Sequence, residues 1–205
     1  MAAAEEFNRQ EIDRIFDYFA AIPNGKLYCC IFALGLTTGA RINEILKIKR
    51  GDVAPNGYLV DSFLIHKSKS KKKKKRKVFI IDRFKPYIYD WLSEQQQRGI
   101  CGAEEFICTF KPGQRIYYRL FYRKIKSAVK FLNIKGNFAT HSMRDTFACI
   151  MLDHYCKLHP DDALKPLLML QDALGHDELK STTHYTKKRD KNNLSNRTVT
   201  DAFNN

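Results

Sequence analysis

The chain has 205 residues, of which 44% are hydrophobic and 28% charged, and its formal net charge at pH 7 is +14. This composition is typical of a globular protein with one domain of generous size or two small ones. No run approaches the roughly 18 consecutive apolar residues of a membrane span, so a membrane partner is not expected.

The first fifty residues are predicted to be helical. A helix over residues 7–20 is indicated by apolar side chains at helical spacing; these are Ile12, Ile15, Phe16 and Phe19. Residues 22–25 (IPNG) break it. A more buried helix over residues 26–35, a turn at 37–39 and another helix over 41–47 follow.

From residue 53 the apolar period changes to that of strands. Residues 58–66 and 78–81 are β-rich, and they flank a basic block at residues 67–77 (KSKSKKKKKRK). We expect a small antiparallel sheet with this block at its hairpin tip. The block holds nine positive charges, which leaves about +5 for the rest of the chain. Such concentration within a folded domain indicates a polyanionic partner, although charge runs are more often solvated segments.

The remainder returns to a helical period, so the predicted fold is mainly α with a small antiparallel β-sheet (α+β). The predicted helices cover residues 84–97, 117–132, 141–155 and 167–174, with an extended link at 106–110, and the segment 181–188 carries Tyr185. Residues 156–165 interrupt the helical run, and residues 189–205 form a polar tail.

Three segments carry the residues with reactive side chains: TTGARINEILKIKRGDV, HSMRDTFA and LGHDELKSTTHYT. These residues are Arg41, Glu44, His141, Arg144, His176 and Tyr185. Two guanidinium forks can hold one phosphodiester and absorb charge in its transition state. A tyrosine phenol, with a pKa near ~10, attacks only when such a site activates it. The combination indicates covalent attack on a DNA phosphate.

In this order, the three segments resemble the signature boxes of the tyrosine recombinase (phage integrase) family, from about residue 7 to residue 186. The resemblance implies the fold of that family's catalytic domain. It also implies site-specific recombination, in which a strand is cleaved through a 3′-phosphotyrosine and rejoined to a new 5′-hydroxyl. No cofactor or metal is required by that chemistry. The implied partners are double-stranded DNA and other protomers on it, with a monomer in solution and a synaptic tetramer on DNA.

The resemblance also assigns roles. Tyr185 is the expected nucleophile, Arg41 and Arg144 neutralise the phosphate, and His141 lies near the nucleophile while His176 bonds a phosphate oxygen. Glu44 is three residues after Arg41 on a predicted helix, a spacing that lets it hold the guanidinium by a charge-assisted bond.

The general acid for the leaving 5′-oxygen is expected to be a lysine on the hairpin. Lys69 is preferred because its context, Ser68-Lys69-Ser70, resembles that of the family lysine. Lys67 stays open, since residues two apart on a strand share a face. Expected DNA contacts are Lys67, Lys71, Lys72, Lys73, Lys74, Lys75, Arg76, Lys77, Arg123 and Lys126. The last two lie on the basic face of the helix predicted over residues 117–132.

A zinc site is the competing reading of Cys149, His154, Cys156 and His159. Their spacing is not a usual structural zinc pattern, so no metal is expected. A type IB topoisomerase-like enzyme and a catalytically retired DNA-binding protein are the alternative functions.

The organisation expected is a catalytic domain over residues 1–188 and a tail over 189–205 that docks on a neighbouring protomer. We expect the family's N-terminal DNA-clamping domain to be absent, either because the chain is a fragment or because it is of a small single-domain type. The start of the chain lacks a secretory pattern and the six cysteines include no CxxC. A reduced, cytoplasmic compartment of undecided bacterial, archaeal or viral origin is therefore expected.

Overall fold

A computed structural model describes residues 4–66 and 75–186. The chain divides into two compact units, Met1–Phe147 and Ala148–Asn205. None of the helices in the described ranges is long and apolar enough to cross a membrane.

The first unit contains most of the helices and both small sheets. Its helices are α1 (Arg9–Ala20), α2 (Gly25–Thr38), α3 (Ile42–Ile45), α4 (Arg50–Val53), α5 (Lys85–Gln97) and α6 (Tyr118–Phe131), and α7 (Thr140–Leu158) begins in it. Its strands are β1 (Ser62–His66), β2 (Lys75–Phe79), β3 (Thr109–Lys111) and β4 (Gln114–Arg115). The prediction of a mainly α fold with a small antiparallel sheet is confirmed.

Helix α1 forms where its apolar spacing predicts. The Asn8 side chain accepts a hydrogen bond from the Glu11 amide, and the Glu11 carboxylate accepts one from the Asn8 amide, each at 2.9 Å. This capping box satisfies two donors that the first helical turn leaves without partners. The four predicted apolar residues are all buried.

Helix α2 is buried along almost its whole length and is longer than predicted. It continues through Thr38 and ends at Gly39, whose φ of +58° closes it in the left-handed region. A β-carbon on Gly39 would lie 2.3 Å from the Phe147 ring, so both the backbone angle and the packing require glycine here. The expected turn at 37–39 is therefore the last helical turn and its cap.

The β1–β2 hairpin is antiparallel and pairs Phe63 with Val78 and Ile65 with Arg76. Strand β2 begins at Lys75, inside the basic block, and so earlier than the predicted residue 78. The expected tip was the whole block 67–77, of which residues 67–74 lie outside the described residues. Helix α3 is shorter than the predicted 41–47, because Arg41 has extended backbone and acts as its N-cap. Helix α4 was not predicted.

Three buried thiols, Cys29, Cys30 and Cys108, pack in the core of the first unit. Burial, reinforced by Asp90 and Asp17, raises the pKa of Cys29 to about 12. Burial also raises the pKa of Cys30 and that of Cys108. None of these three thiols takes part in a disulfide.

The second unit begins within α7 and contains α8 (Lys165–Leu174) and a last helix, α9, over residues 180–186. Helix α7 continues to Leu158, so the interruption expected from residue 156 begins later. The Asp162 carboxylate accepts hydrogen bonds from the amides of Leu164 and Lys165, which lower its pKa. Gly175, at φ +66°, ends α8. The tail 189–205 lies outside the described residues.

Candidate functional site

The first predicted box surrounds the end of α2. After Gly39 the chain turns, and Arg41 starts α3 with Glu44 in its first turn. One Glu44 oxygen accepts from the Arg41 amide at 3.0 Å, and the other lies 3.4 Å from Arg41 Nη1. The contact expected from the spacing is present. Because Glu44 is only 3% exposed, its charge is poorly screened, and it fixes both the backbone and the side chain of Arg41.

The second box meets this turn from α7. Arg144 is buried, and its Nη1 donates to the Gly39 carbonyl oxygen at 2.5 Å. That carbonyl belongs to the residue that ends α2, where helix carbonyls lack intrahelical partners and carry partial negative charge. The structure therefore brings Arg144 to the segment that leads into Arg41. His141 lies one turn before Arg144 on α7 and is exposed.

Arg76 corrects one sequence expectation. It was predicted to contact DNA on the surface with the rest of the block, but it is buried. Its Nη1 donates to the Thr38 carbonyl oxygen at 3.1 Å, and its Nη2 lies 4.0 Å from a Glu44 oxygen. The reason is strand alternation: β2 turns Arg76 and Val78 inward and leaves Lys75 and Lys77 exposed.

The remaining expected DNA contacts fall into two groups. Arg123 is exposed on α6, whereas Lys126 is half-buried and donates to the Phe138 carbonyl oxygen at 3.0 Å, just before α7. The other group lies outside the described residues, and it includes both candidate acids. Its members are Lys67, Lys69, Lys71, Lys72, Lys73 and Lys74.

The third box lies in the second unit. His176 directly follows the left-handed Gly175, and its Nδ1 is 2.8 Å from the hydroxyl of Thr182. Thr182 is fully buried, so this hydrogen bond holds the orientation of the imidazole ring. Tyr185 follows one turn later on α9 and is 2% exposed. Sequence reasoning missed Thr182; the only signal was its place inside the box, between the histidine and the tyrosine.

The family model described as "Phage integrase family" matches residues 5–192. The chain belongs to the phage integrase family. Over 157 residues it is 25% identical to the tyrosine recombinase XerC of Chlamydia caviae, an alignment that covers 77% of this chain and 46% of that protein. This phage integrase family chain thus spans about half the length of the curated relatives it matches.

Two solved structures share the fold of this family member. One is the XerH site-specific recombinase in a post-cleavage complex with palindromic difH substrate, with a TM-score of 0.69 and 20% identity over 96% of this chain and 53% of that one. The other is the catalytic domain of bacteriophage HP1 integrase, with a TM-score of 0.55 and 22% identity over 90% of this chain and 88% of that domain.

Proposed function

We propose that this chain is the catalytic part of a site-specific tyrosine recombinase that cleaves and rejoins DNA strands. The observation that carries the proposal is the placement of two arginines, Arg41 and Arg144, at one turn of the first unit. Glu44 fixes the first and the Gly39 carbonyl fixes the second. Two preorganised guanidinium groups are suited to stabilising the charge that develops on a phosphate in its transition state.

In the proposed reaction, the Tyr185 phenol oxygen forms a bond to phosphorus while the bond from phosphorus to the 5′-oxygen breaks. The phenolic proton passes to a base, for which the exposed His141 is placed one turn from Arg144. The leaving 5′-oxygen takes a proton from Lys69, or from Lys67 as the alternative. Rejoining reverses these steps at a new 5′-hydroxyl, so the bond energy is conserved and no cofactor is consumed.

His176 is assigned to a non-bridging phosphate oxygen, with Thr182 holding its ring. Functional imidazoles are commonly oriented by a hydrogen bond to the ring nitrogen that does not contact the substrate. Here that nitrogen is Nδ1 of His176, and its partner is the Thr182 hydroxyl.

The proposed partners are double-stranded DNA and further copies of the protein, with a monomer in solution and a tetramer on DNA. The exposed Lys75, Lys77 and Arg123 support the DNA partner, because phosphate contacts need accessible cations. We also propose residues 1–188 as the catalytic domain, residues 189–205 as a segment that docks on a neighbouring protomer, and the cytoplasm as the compartment.

The test is covalent capture on DNA. Wild-type protein is incubated with a nicked duplex from which the cleaved end is lost, and a protein–DNA adduct is sought on a denaturing gel. Tyr185→Phe is expected to give no adduct while DNA affinity stays within about threefold, because phosphate contacts supply the binding. Tyr155→Phe is the matched control, since Tyr155 is the other tyrosine of the second unit, and it should form adduct as wild type does.

The alternatives give different results. A wild type that binds DNA but forms no adduct on any duplex identifies a retired DNA-binding protein. Adduct formation with relaxation of supercoils, but without exchange of strands between two duplexes, identifies a topoisomerase-like enzyme. Adduct that persists in Tyr185→Phe places the nucleophile elsewhere.

A further inference from the structure

Arg76 has a position that none of the expected roles explains. Its side chain is 7% exposed although it lies in a run of lysines. It makes contact with two groups that flank Arg41 in the sequence, the Thr38 carbonyl at 3.1 Å and the Glu44 carboxylate at 4.0 Å. A buried guanidinium is costly unless its partners are fixed, so this placement requires an explanation.

Two different arginines serve consecutive carbonyls at the end of α2. Arg76 donates to the Thr38 oxygen and Arg144 to the Gly39 oxygen. The last carbonyls of a helix have no intrahelical donors and attract cations. These two bonds therefore hold the left-handed turn at Gly39 from both sides, and Arg41 follows this turn by two residues.

The Glu44 carboxylate links the same arginine to Arg41. It lies 3.4 Å from Arg41 Nη1 and 4.0 Å from Arg76 Nη2, so it separates two positive charges that would otherwise repel each other. Arginine suits this position better than lysine, because its planar fork lets Nη1 donate to the Thr38 carbonyl oxygen while Nη2 lies 4.0 Å from the Glu44 carboxylate.

The strand that carries Arg76 is tied to α2 at a second point. The Thr37 hydroxyl donates to the Phe79 carbonyl oxygen at 3.2 Å and accepts from the Ile81 amide at 2.6 Å. Strand β2 is therefore bonded to the last turn of α2 at Arg76 and again where the strand ends. The hairpin and the turn before Arg41 form one connected structure.

We propose that Arg76 is a positioning residue for strand cleavage: it holds the segment from Thr38 to Arg41 and the Glu44 carboxylate, and so sets the Arg41 guanidinium against the scissile phosphate. This inference rests on the proposed function. It predicts that loss of Arg76 impairs the neutralisation of phosphate charge and leaves DNA binding in place.

The experiment compares Arg76→Met with Arg50→Met. Arg50 is a matched control outside the site: it is also buried, and its Nη1 donates to the Leu92 carbonyl oxygen at 3.0 Å. Both variants remove a buried guanidinium and its hydrogen bond to a backbone carbonyl oxygen, so both should lose stability. The rate of adduct formation at saturating DNA is measured on a normal phosphodiester and on a neutral methylphosphonate at the cleavage position.

A methylphosphonate carries no charge for Arg41 to neutralise, so Arg41→Ala should be slow on the phosphodiester and much closer to wild type on the methylphosphonate. If Arg76 acts through Arg41, Arg76→Met follows the same pattern, with a rate on the phosphodiester that falls by about tenfold to hundredfold. For Arg50→Met, the ratio of the rate of adduct formation on the phosphodiester to the rate on the methylphosphonate should equal that of wild type.

The inference is overturned if Arg76→Met and Arg50→Met show the same ratio of rates on the two substrates. Arg76→Lys is the second variant, and it decides the question if Arg76→Met does not fold. Lysine keeps the positive charge but not the planar guanidinium fork, so we expect slow adduct formation on the phosphodiester and a rate much closer to wild type on the methylphosphonate. A wild-type rate on the phosphodiester would show that a charge alone suffices, and it would refute the positioning role. A wild type that forms no adduct at all refutes the proposed function itself, an outcome distinct from these.

Discussion

Replacing Glu44 by alanine is expected to destabilise the first unit strongly. The carboxylate is 3% exposed and lies between Arg41 and Arg76, and it also accepts a hydrogen bond from the Arg41 amide. Alanine removes the negative charge and leaves two guanidinium groups facing each other. The buried Arg76 then loses the carboxylate that lies 4.0 Å from its Nη2.

The magnitude follows from burial. Removing one partner of a buried ion pair costs about 3–5 kcal/mol. The side chain of Arg41 is 30% exposed, so water screens part of its charge, and the lower end of about 3 kcal/mol applies. For a chain of this size each kcal/mol shifts the unfolding midpoint by about 2–4 °C, so the midpoint should fall by roughly 6–12 °C.

The assay is thermal unfolding of wild type, Glu44→Ala and Glu104→Ala, followed by circular dichroism. Glu104 is a matched control, because it also pairs with a cation, Lys49, but its side chain is 86% exposed. Exposed pairs contribute little to stability, so Glu104→Ala should unfold close to the wild-type temperature. Equal midpoints for the two variants would refute the argument that burial makes the Glu44 charge important.

Three further outcomes are expected. Lys69→Ala should slow cleavage of ordinary DNA by ~10²–10⁴-fold and approach the wild-type rate on a bridging 5′-phosphorothiolate, whose thiolate leaves without a proton; rescue of Lys67→Ala instead would move the acid to Lys67. Replacing Lys71–Lys75 by alanine should flatten the plot of log affinity against log salt by about 0.9 for each DNA phosphate that these lysines neutralise, and an unchanged slope would mean that the block is a free solvated run. Above pH 9 the unfolded Cys29 thiol ionises while the folded one, with a pKa of about 12, stays protonated, so the free energy of unfolding should fall as pH rises from 9 to 12. In urea titrations, this free energy should decrease less between pH 8 and pH 10 for Cys29→Ala than for wild type. An equal decrease in the two proteins would contradict this assignment.

The sequence predicts the amphipathic helices well because one periodic face must be buried. Helix α1 is the clearest case, since its four apolar positions are all buried and its cap residues are visible in the sequence. Boundaries were less predictable. Thr37 and Thr38 look like a turn before glycine, yet burial of α2 keeps them helical until the left-handed Gly39.

Contacts at the candidate site also divide into those that the sequence predicts and those that it does not. The Arg41–Glu44 contact follows from local spacing and was predictable. The bond from Arg144 to Gly39 joins residues 105 positions apart within the first unit, and no local pattern reveals such a contact. Arg76 was misplaced because a run of cations hides the alternation of a strand. Lysines lie on both sides of Arg76, and residues 78–81 (VFII) are apolar at every position, so they do not mark which face is inward.

The burial of Tyr185 has a consequence for how safely a cell can hold such a protein. Tyr185 is 2% exposed, so if it is the nucleophile that we propose, it must be uncovered before it can reach a phosphate in a duplex. Under that proposal, a DNA molecule that binds only the exposed cationic side chains would meet no accessible phenol and would dissociate uncut. Cleavage would then need an encounter that supplies enough free energy to expose the tyrosine, and this free energy would act as a filter in addition to any recognition of the DNA sequence.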